Sequence, residues 1–431
     1  MQLSKIMLAV AAVATAATAS SAFAAPAGNR VAVSAGASAI QGNLTLAIRS
    51  LCVAPNVATS FISGNFTTIV CADAAVTGGA AGTYVSKPDA DFKNFAGLPY
   101  AEFRVNVGNG SFGNIQILNG VPFTFRNPAT LVNTDPAPAG AVIVGGANDV
   151  QPEFFPLATI GNNTLFPSTA IGIAQVFGVA ASSALYDAMF ADQKASGLIP
   201  ASCNLADTGI SYCIPSIGKP QMATIMADSA FNSAYLRGVG FLAGAALDGV
   251  ELRYARRVDT SGTQASAQNY FLGLPCSKGE LSIVPEPTTD DEVGGLKDAL
   301  INSIRVMAAG GTGDVRTELN KPGLYVIGVM SGENNQAAQS WKWLRVNGVA
   351  IGENAVPGTA GITNSNTMKN GTYDFYFETT SAGGNATGDA FWATVNSALN
   401  VLPAPVGLVN ATDLGAGYNK GGRTCAGSAS N

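Results

Sequence analysis

The chain has 431 residues, no histidine, and a formal net charge of −5 with charged residues at only 12%. The missing imidazole excludes Ser-His-Asp and Cys-His catalysis, histidine zinc sites and histidine-ligated haem. No block of basic residues occurs, which argues against nucleic acid or anionic lipid as a partner.

The first 24 residues carry Lys5, an apolar run from Ile6 to Val13, and small residues ending in Ala22-Phe23-Ala24. That is the charged start, short apolar run and A-x-A end of a secretory signal peptide, with cleavage expected after Ala24. The apolar part is short and alanine-rich for a membrane anchor. No cysteine near the cleavage point invites lipidation, and no later stretch is long and apolar enough to span a bilayer. An exported, soluble mature chain is expected, too long for one small core and so built of two lobes. Six cysteines, Cys52, Cys71, Cys203, Cys213, Cys276 and Cys425, suit disulfides in such a compartment. Proximity favours Cys52–Cys71 and Cys203–Cys213, leaving Cys276–Cys425.

Taken in order, Val31 and Val33 predict a short strand, followed by a small-residue turn and a helix through Leu44 to Ile48. Ser38 near that helix start suits an anion, although such turns also serve packing alone. Residues 52–95 carry no clear pattern. Tyr100 to Val107 predicts a strand running into the glycine-rich turn Gly108 to Gly113. Ala141 to Val144 predicts a buried strand that ends before Asp149, which is placed to face a cleft or to form a turn. Residues 171–179 predict another buried strand. Ser182 or Ser183 then caps a helix that buries Leu185, Tyr186, Met189 and Phe190 and closes at Gly197. Gln221 to Ala234 reads as helical. Asp290, Asp291 and Glu292 precede a predicted helix with Leu296, Leu300, Ile304 and Met307 on one face, stopped by Gly310-Gly311. Leu324 to Met330 is a buried strand, and Tyr373, Phe375 and Phe377 alternate in a late strand with Glu378 at its end. Alternating strands and helices imply an α/β protein, and no internal repeat appears.

The densest chemistry lies in Arg256-Arg257-Val258-Asp259-Thr260-Ser261-Gly262-Thr263. Arg257 suits paired charge-assisted hydrogen bonds to an oxyanion. Ser261 and Thr263 offer hydroxyl donors, and Gly262 lets the backbone approach. A helix starting at Ser261 would add its free amides. The same residues also suit a polar turn capped by Ser261 before an ordinary helix.

In this order the pieces resemble the phosphate-binding proteins of ABC importers, a type II periplasmic solute-binding family. The resemblance rests on the turn Ser34-Ala35-Gly36-Ala37-Ser38-Ala39, on Gly110-Ser111-Phe112-Gly113, on Asn148-Asp149-Val150, and most closely on Arg257 to Thr263, with Gly323 to Gly328 as the return strand. The chain departs from the pattern at Ser38, Ala39 and Asn148, and is longer near residues 52–95 and 120–140. The resemblance implies a two-lobed type II fold with a ligand cleft between lobes. Lobe one would be residues 25–155 and 336–431, and lobe two 156–335, with crossings near Phe155 and near Ser331 to Asn335. It implies a monomeric, periplasmic, non-enzymatic protein that binds phosphate or a similar oxyanion, needs no cofactor or metal, and hands its solute to ABC transporter membrane subunits. The ligand set it implies is Ala37, Ser38, Ala39, Ser111, Asp149, Arg257, Ser261, Gly262 and Thr263. Asp149 would accept a hydrogen bond from the proton that phosphate keeps and repel sulfate, which has none. Asp259 would orient Arg257 by a salt bridge. The alternatives are another oxyanion or small organic acid on the same fold, a secreted structural or adhesive protein, or a hydrolase using Ser261.

Overall fold

The computed structural model describes residues 30–54, 56–73, 92–228, 241–242, 250–275, 282–289, 295–334, 336, 339–351, 366–369, 371–402, 407–410 and 413–414. The signal segment, the Asp290 to Glu292 run, Cys276 and Cys425 lie outside the described residues. The strands in chain order are β1 (Val31–Ala35), β2 (Asn56–Ser63), β3 (Phe66–Asp73), β4 (Glu102–Asn106), β5 (Thr124–Phe125), β6 (Asp135–Pro136), β7 (Val142–Ile143), β8 (Gly146–Asn148) and β9 (Thr169–Ala181). They continue as β10 (Ser216–Ile217), β11 (Leu252–Arg257), β12 (Lys297–Ile301), β13 (Ile304–Ala309), β14 (Tyr325–Ser331), β15 (Lys342–Trp343), β16 (Arg345–Val346), β17 (Tyr376–Ala382) and β18 (Leu408–Asn410). The main helices are α1 (Gln41–Ser50), α2 (Phe112–Leu118), α3 (Ser183–Ala195), α4 (Lys219–Met226), α5 (Gly262–Ala267), α6 (Thr312–Leu319) and α7 (Ala386–Asn400). The protein is mixed α/β, with several sheets. Among the described residues no helix is long and apolar enough to cross a membrane.

The chain divides into two compact units. The first comprises Met1–Val33, Ile48–Val105 and Phe123–Val142. Its sheet runs in the order β2-β3-β4-β1-β7. The β2–β3 hairpin turns at Gly64, whose φ of 55° is left-handed. A disulfide joins Cys52 to Cys71 on β3. Glu102 and Arg104 lie two apart on β4, so both point to the same side; they form a fully buried ion pair.

The second unit comprises Ser34–Ala47, Asn106–Pro122 and Ile143–Asn431. Its nine-stranded sheet has the path β12-β13-β11-β14-β9-β17-β8, with β15 and β18 also on β9. The thirteen-residue β9 is almost continuously apolar and buried, as a strand covered on both faces must be. Its first part, to Val176, pairs with β17 and β18; its last part, from Phe177, pairs with β14 and β15. One strand thus joins two half-sheets. Gly178 lies just past the change of partners, where any Cβ would run into the Trp343 ring and Ile351. Within the other half, β11 is parallel to both β13 and β14, so three carboxyl ends point the same way.

Several expectations are met closely: β1, α1, β4, β9, β14, and α3 with its buried Leu185, Tyr186, Met189 and Phe190 and its left-handed Gly197. Four need correction. The helix expected through Leu296 to Met307 is the antiparallel hairpin β12–β13, turned by Asn302 (φ 51°) and Ser303 (φ 68°). Two successive positive φ values are the two-residue turn that suits strand twist, and Leu300 is 58% exposed rather than buried. The strand expected over Ala141 to Val144 is only β7, with Ile143 exposed, and past the left-handed Gly145 the expected loop contains the further strand β8. The helix expected from Gln221 is α4, which ends at Met226; Ser229 to Ala234 lie outside the described residues. The late strand, β17, starts at Tyr376 and runs past Glu378 to Ala382.

The Cys203–Cys213 disulfide closes the loop after α3, with Phe190 and Ile199 packed around it. Replacing both cysteines by serine is expected to cost roughly 2–3 kcal/mol, the chain-entropy value for so short a loop. A thermal melt of the double variant without added reductant measures it. The two disulfides fit an oxidising, extracytoplasmic setting.

Candidate functional site

All nine residues of the sequence-derived ligand set fall in the second unit. β11 ends at Arg257, the chain turns through Asp259-Thr260, and α5 begins at Gly262 with Ser261 in the N-cap position. Ser261 has extended backbone (φ −82°, ψ 128°) and makes no side-chain capping bond. Its hydroxyl is therefore not consumed by the helix, as it would be in a mere capped turn. The Arg257 N–H donates to Gln264 Oε1 at 3.0 Å, which ties the strand end to the first turn of α5.

Three other turns pack into the same region. Ser111 caps α2 in position only; its hydroxyl accepts the Asp149 N–H at 2.9 Å. Gly110 lies against Thr260 and Ser261, and the Phe112 N–H donates to Thr260 O at 3.4 Å. Gly262 Cα lies so close to Ser111 and Asp149 that an added Cβ would overlap Ser111 Oγ and come to 3.0 Å from Asp149 Oδ2. The first turn joins through the Ala37 N–H, which donates to Ala147 O at 2.8 Å, two residues before Asp149. Ser111, Asp149 and Gly262 are thus in mutual contact, with Ala37 fixed nearby. Ala37's N–H is spent on Ala147. Ser38 is exposed and Ala39 half-buried at the entry to α1, while Thr263 is buried on α5.

Arg257 is buried, and its fork is held by three acceptors: Ala309 O at 3.3 Å from Nε, Thr312 Oγ1 at 3.0 Å from Nη1 and Gly310 O at 3.1 Å from Nη2. These all lie at or just beyond the end of β13, the parallel neighbour of β11. A guanidinium has five N–H donors, so the fork keeps further donors while its orientation is locked. Asp259 does not orient Arg257. It pairs with Arg256 and leaves its own N–H to Glu286 Oε2 at 2.8 Å. Successive strand residues point to opposite faces, so Arg256 turns away into the core, where it also donates to Val284 O at 2.9 Å.

Asp149 is 5% exposed, and its Oδ1 has no hydrogen-bond partner among the described residues. Burial and the Glu333 carboxylate push its pKa up to about 7, against the pull of Arg257 and the Ser111 hydroxyl. Beside it Asn148, paired with Thr380 across to β17, is fully buried with both amide atoms lacking partners among the described residues. Glu333, at the carboxyl end of β14, accepts from Ser331 Oγ and from Gln175 Nε2. Sequence reasoning misses Thr312 and Glu333, whose places follow from the pairing of β11 with β13 and β14.

The raised pKa makes Asp149 a source of pH-dependent stability. The folded state holds its proton more tightly than the unfolded chain does. The stabilisation is fully present below the ordinary carboxylate range and is lost as pH rises towards about 7. Asp149→Asn is therefore expected to raise the stability of the ligand-free protein at about pH 8 by roughly 2–4 kcal/mol and to flatten the slope between about pH 4 and 7. Thermal melts of both proteins across that range test it.

The arrangement is that of an α/β sheet presenting its parallel carboxyl ends, where ligands bind outside the strands. No family model, curated protein or solved structure matches the chain.

Proposed function

We propose that the chain is an exported, periplasmic solute-binding protein that holds phosphate, or a similar proton-bearing oxyanion, for delivery to ABC transporter membrane subunits. The observation that carries this reading is the meeting of Ser111, Asp149 and Gly262, with Asp149's buried Oδ1 unpartnered among the described residues and Arg257 acting on it electrostatically. A locked guanidinium supplies charge for an oxyanion. An acceptor carboxylate beside it demands an O–H on the ligand. Phosphate satisfies both and sulfate only the first, leaving the acid facing bare oxygen.

Two features support the two-lobed type II form of this reading. β9 passes from one half-sheet to the other, and Glu333, in the segment where the return crossing is expected, pairs with Gln175 of β9. In such a protein a cleft between the lobes closes on its solute, and ligand contacts bias that closure. Titration calorimetry of the mature protein, stripped of solute by partial unfolding, tests the proposal. One-to-one phosphate binding without a sulfate response is expected. Silence with both anions from folded protein overturns it.

A further inference from the structure

Among the described residues, every hydrogen-bond acceptor on the Arg257 guanidinium is neutral. Nε donates to Ala309 O, Nη2 to Gly310 O and Nη1 to Thr312 Oγ1. The nearest carboxylate in sequence, Asp259, pairs with Arg256 instead. A guanidinium carries one N–H on Nε and two on each Nη. One N–H therefore remains on each Nη, a pair that can meet two oxygens of an anion. Two of the three anchors are backbone carbonyls. Thr312 supplies the side-chain anchor.

The fold fixes Thr312 where it stands. It is the first residue of α6, with Gly311 in the N-cap position. The Asp314 carboxylate accepts the Gly311 N–H at 2.9 Å and closes that turn. Thr312, Val315 and Leu319 are spaced by three and four, so they share one face of α6. Val315 and Leu319 are fully buried, and Val315 lies so near Gly328 of β14 that an added Cβ there would come to 2.9 Å from it. That face is turned to the sheet, and Thr312 meets Arg257 at the end of β11. The use of its hydroxyl differs from that of other helical threonines in this chain. Thr45, Thr224, Thr317 and Thr394 each donate to the carbonyl four residues back. Thr312, at the helix start, has no helical carbonyl behind it, and its oxygen is open to Arg257.

We propose that Thr312 is a positioning residue of the anion site, whose hydroxyl sets the orientation of the Arg257 guanidinium without neutralising it. The inference rests on the solute-binding reading above. A carboxylate in the same place would hold the guanidinium more strongly, because that pair is charge-assisted on both sides. It would also cancel the positive charge that an oxyanion needs and repel the oxyanion itself. A methyl group there would leave the fork held only at Nε and Nη2. A hydroxyl meets both demands.

The test is titration calorimetry with inorganic phosphate at neutral pH, beside thermal melts, on wild type, Thr312→Ser, Thr312→Val and Thr312→Asp. Thr312→Ser keeps the acceptor and is expected to bind within about twofold of wild type. Thr312→Val keeps the shape without the acceptor and is expected to lose about tenfold in affinity. Thr312→Asp is expected to lose roughly 10²-fold or more, while its melting temperature stays at or above that of Thr312→Val. A merely structural threonine would make affinity follow stability, so the aspartate variant separates the two roles. Unchanged affinity in Thr312→Val, a Thr312→Ser as weak as Thr312→Val, or a Thr312→Asp that binds more tightly than Thr312→Val overturns the role of Thr312 and leaves the binding reading standing. Absence of phosphate binding by folded wild type overturns both. If Thr312→Val does not fold, the contrast between Thr312→Ser and Thr312→Asp decides.

Discussion

Replacing Arg257 by alanine is expected to weaken phosphate binding by roughly 10²–10³-fold or more, the loss that follows from removing one partner of a buried, hydrogen-bonded charge set. The effect has two parts. The ligand loses its cation. The carboxylates of Asp149 and Glu333 also lose the charge that pulls their pKa values down, so both protonate more readily and the electrostatics of the empty site change. The fork itself spans Ala309 O, Gly310 O and Thr312 Oγ1. Arg257→Lys keeps the charge, but a single ammonium cannot reproduce a planar fork on three acceptors. We expect it to recover only part of the affinity. The melting temperature should fall for both variants, because acceptors at the start of α6 are left without donors. Calorimetry with phosphate, read beside a thermal melt, separates the two contributions. Phosphate affinity unchanged in folded Arg257→Ala would remove Arg257 from the site.

How much of this is readable in the residues follows from the range over which each feature is determined. The Arg257 to Thr263 segment is local: turn and N-cap residue succeed one another within a few positions, and Ser261 and α5 stand where the sequence puts them, while the strand β11 that leads into them is not read in advance. Asp149 and Ser111 are readable as turn residues, although their meeting with Gly262 depends on tertiary packing. The misreadings are of two kinds. Leu296, Leu300 and Ile304 are spaced by four, and that spacing satisfies a helical stripe and a strand face equally. Only the paired left-handed residues at Asn302 and Ser303 decide between them. Asp259 belongs to Arg256 rather than Arg257 because adjacent strand residues face opposite ways, a distinction the octapeptide does not display by itself. Glu333 stays hidden because its neighbourhood with Arg257 comes from the parallel pairing of β11 with β14, which no local pattern encodes.

Gly262→Ala is expected to be the most disruptive small substitution in the site. The helical backbone of residue 262 tolerates alanine, and by propensity alone the change would stabilise α5. Space decides against it. The new methyl would overlap Ser111 Oγ and sit 3.0 Å from both Cβ and Oδ2 of Asp149. Neither neighbour moves cheaply. Ser111 Oγ holds the Asp149 N–H, and Ser111 itself is fully buried at the start of α2. Relief therefore requires parting the Ser111 and Asp149 turns from the start of α5, at a cost of about 1–3 kcal/mol, the usual penalty of overpacking. The same displacement breaks the Asp149 anchor and moves its carboxylate away from Arg257, so phosphate affinity should fall by about tenfold or more while the fold survives. Gly313→Ala is the control: it lies on α6, its added Cβ meets nothing within 4 Å, and its φ is not positive. That variant should be neutral or slightly more stable, by up to about 1 kcal/mol. Thermal melts and phosphate calorimetry on the two alanine variants distinguish crowding at the site from a general intolerance of alanine at helical glycines. Equal behaviour of the two would mean that Gly262 does not set the distance between the Asp149 turn and α5.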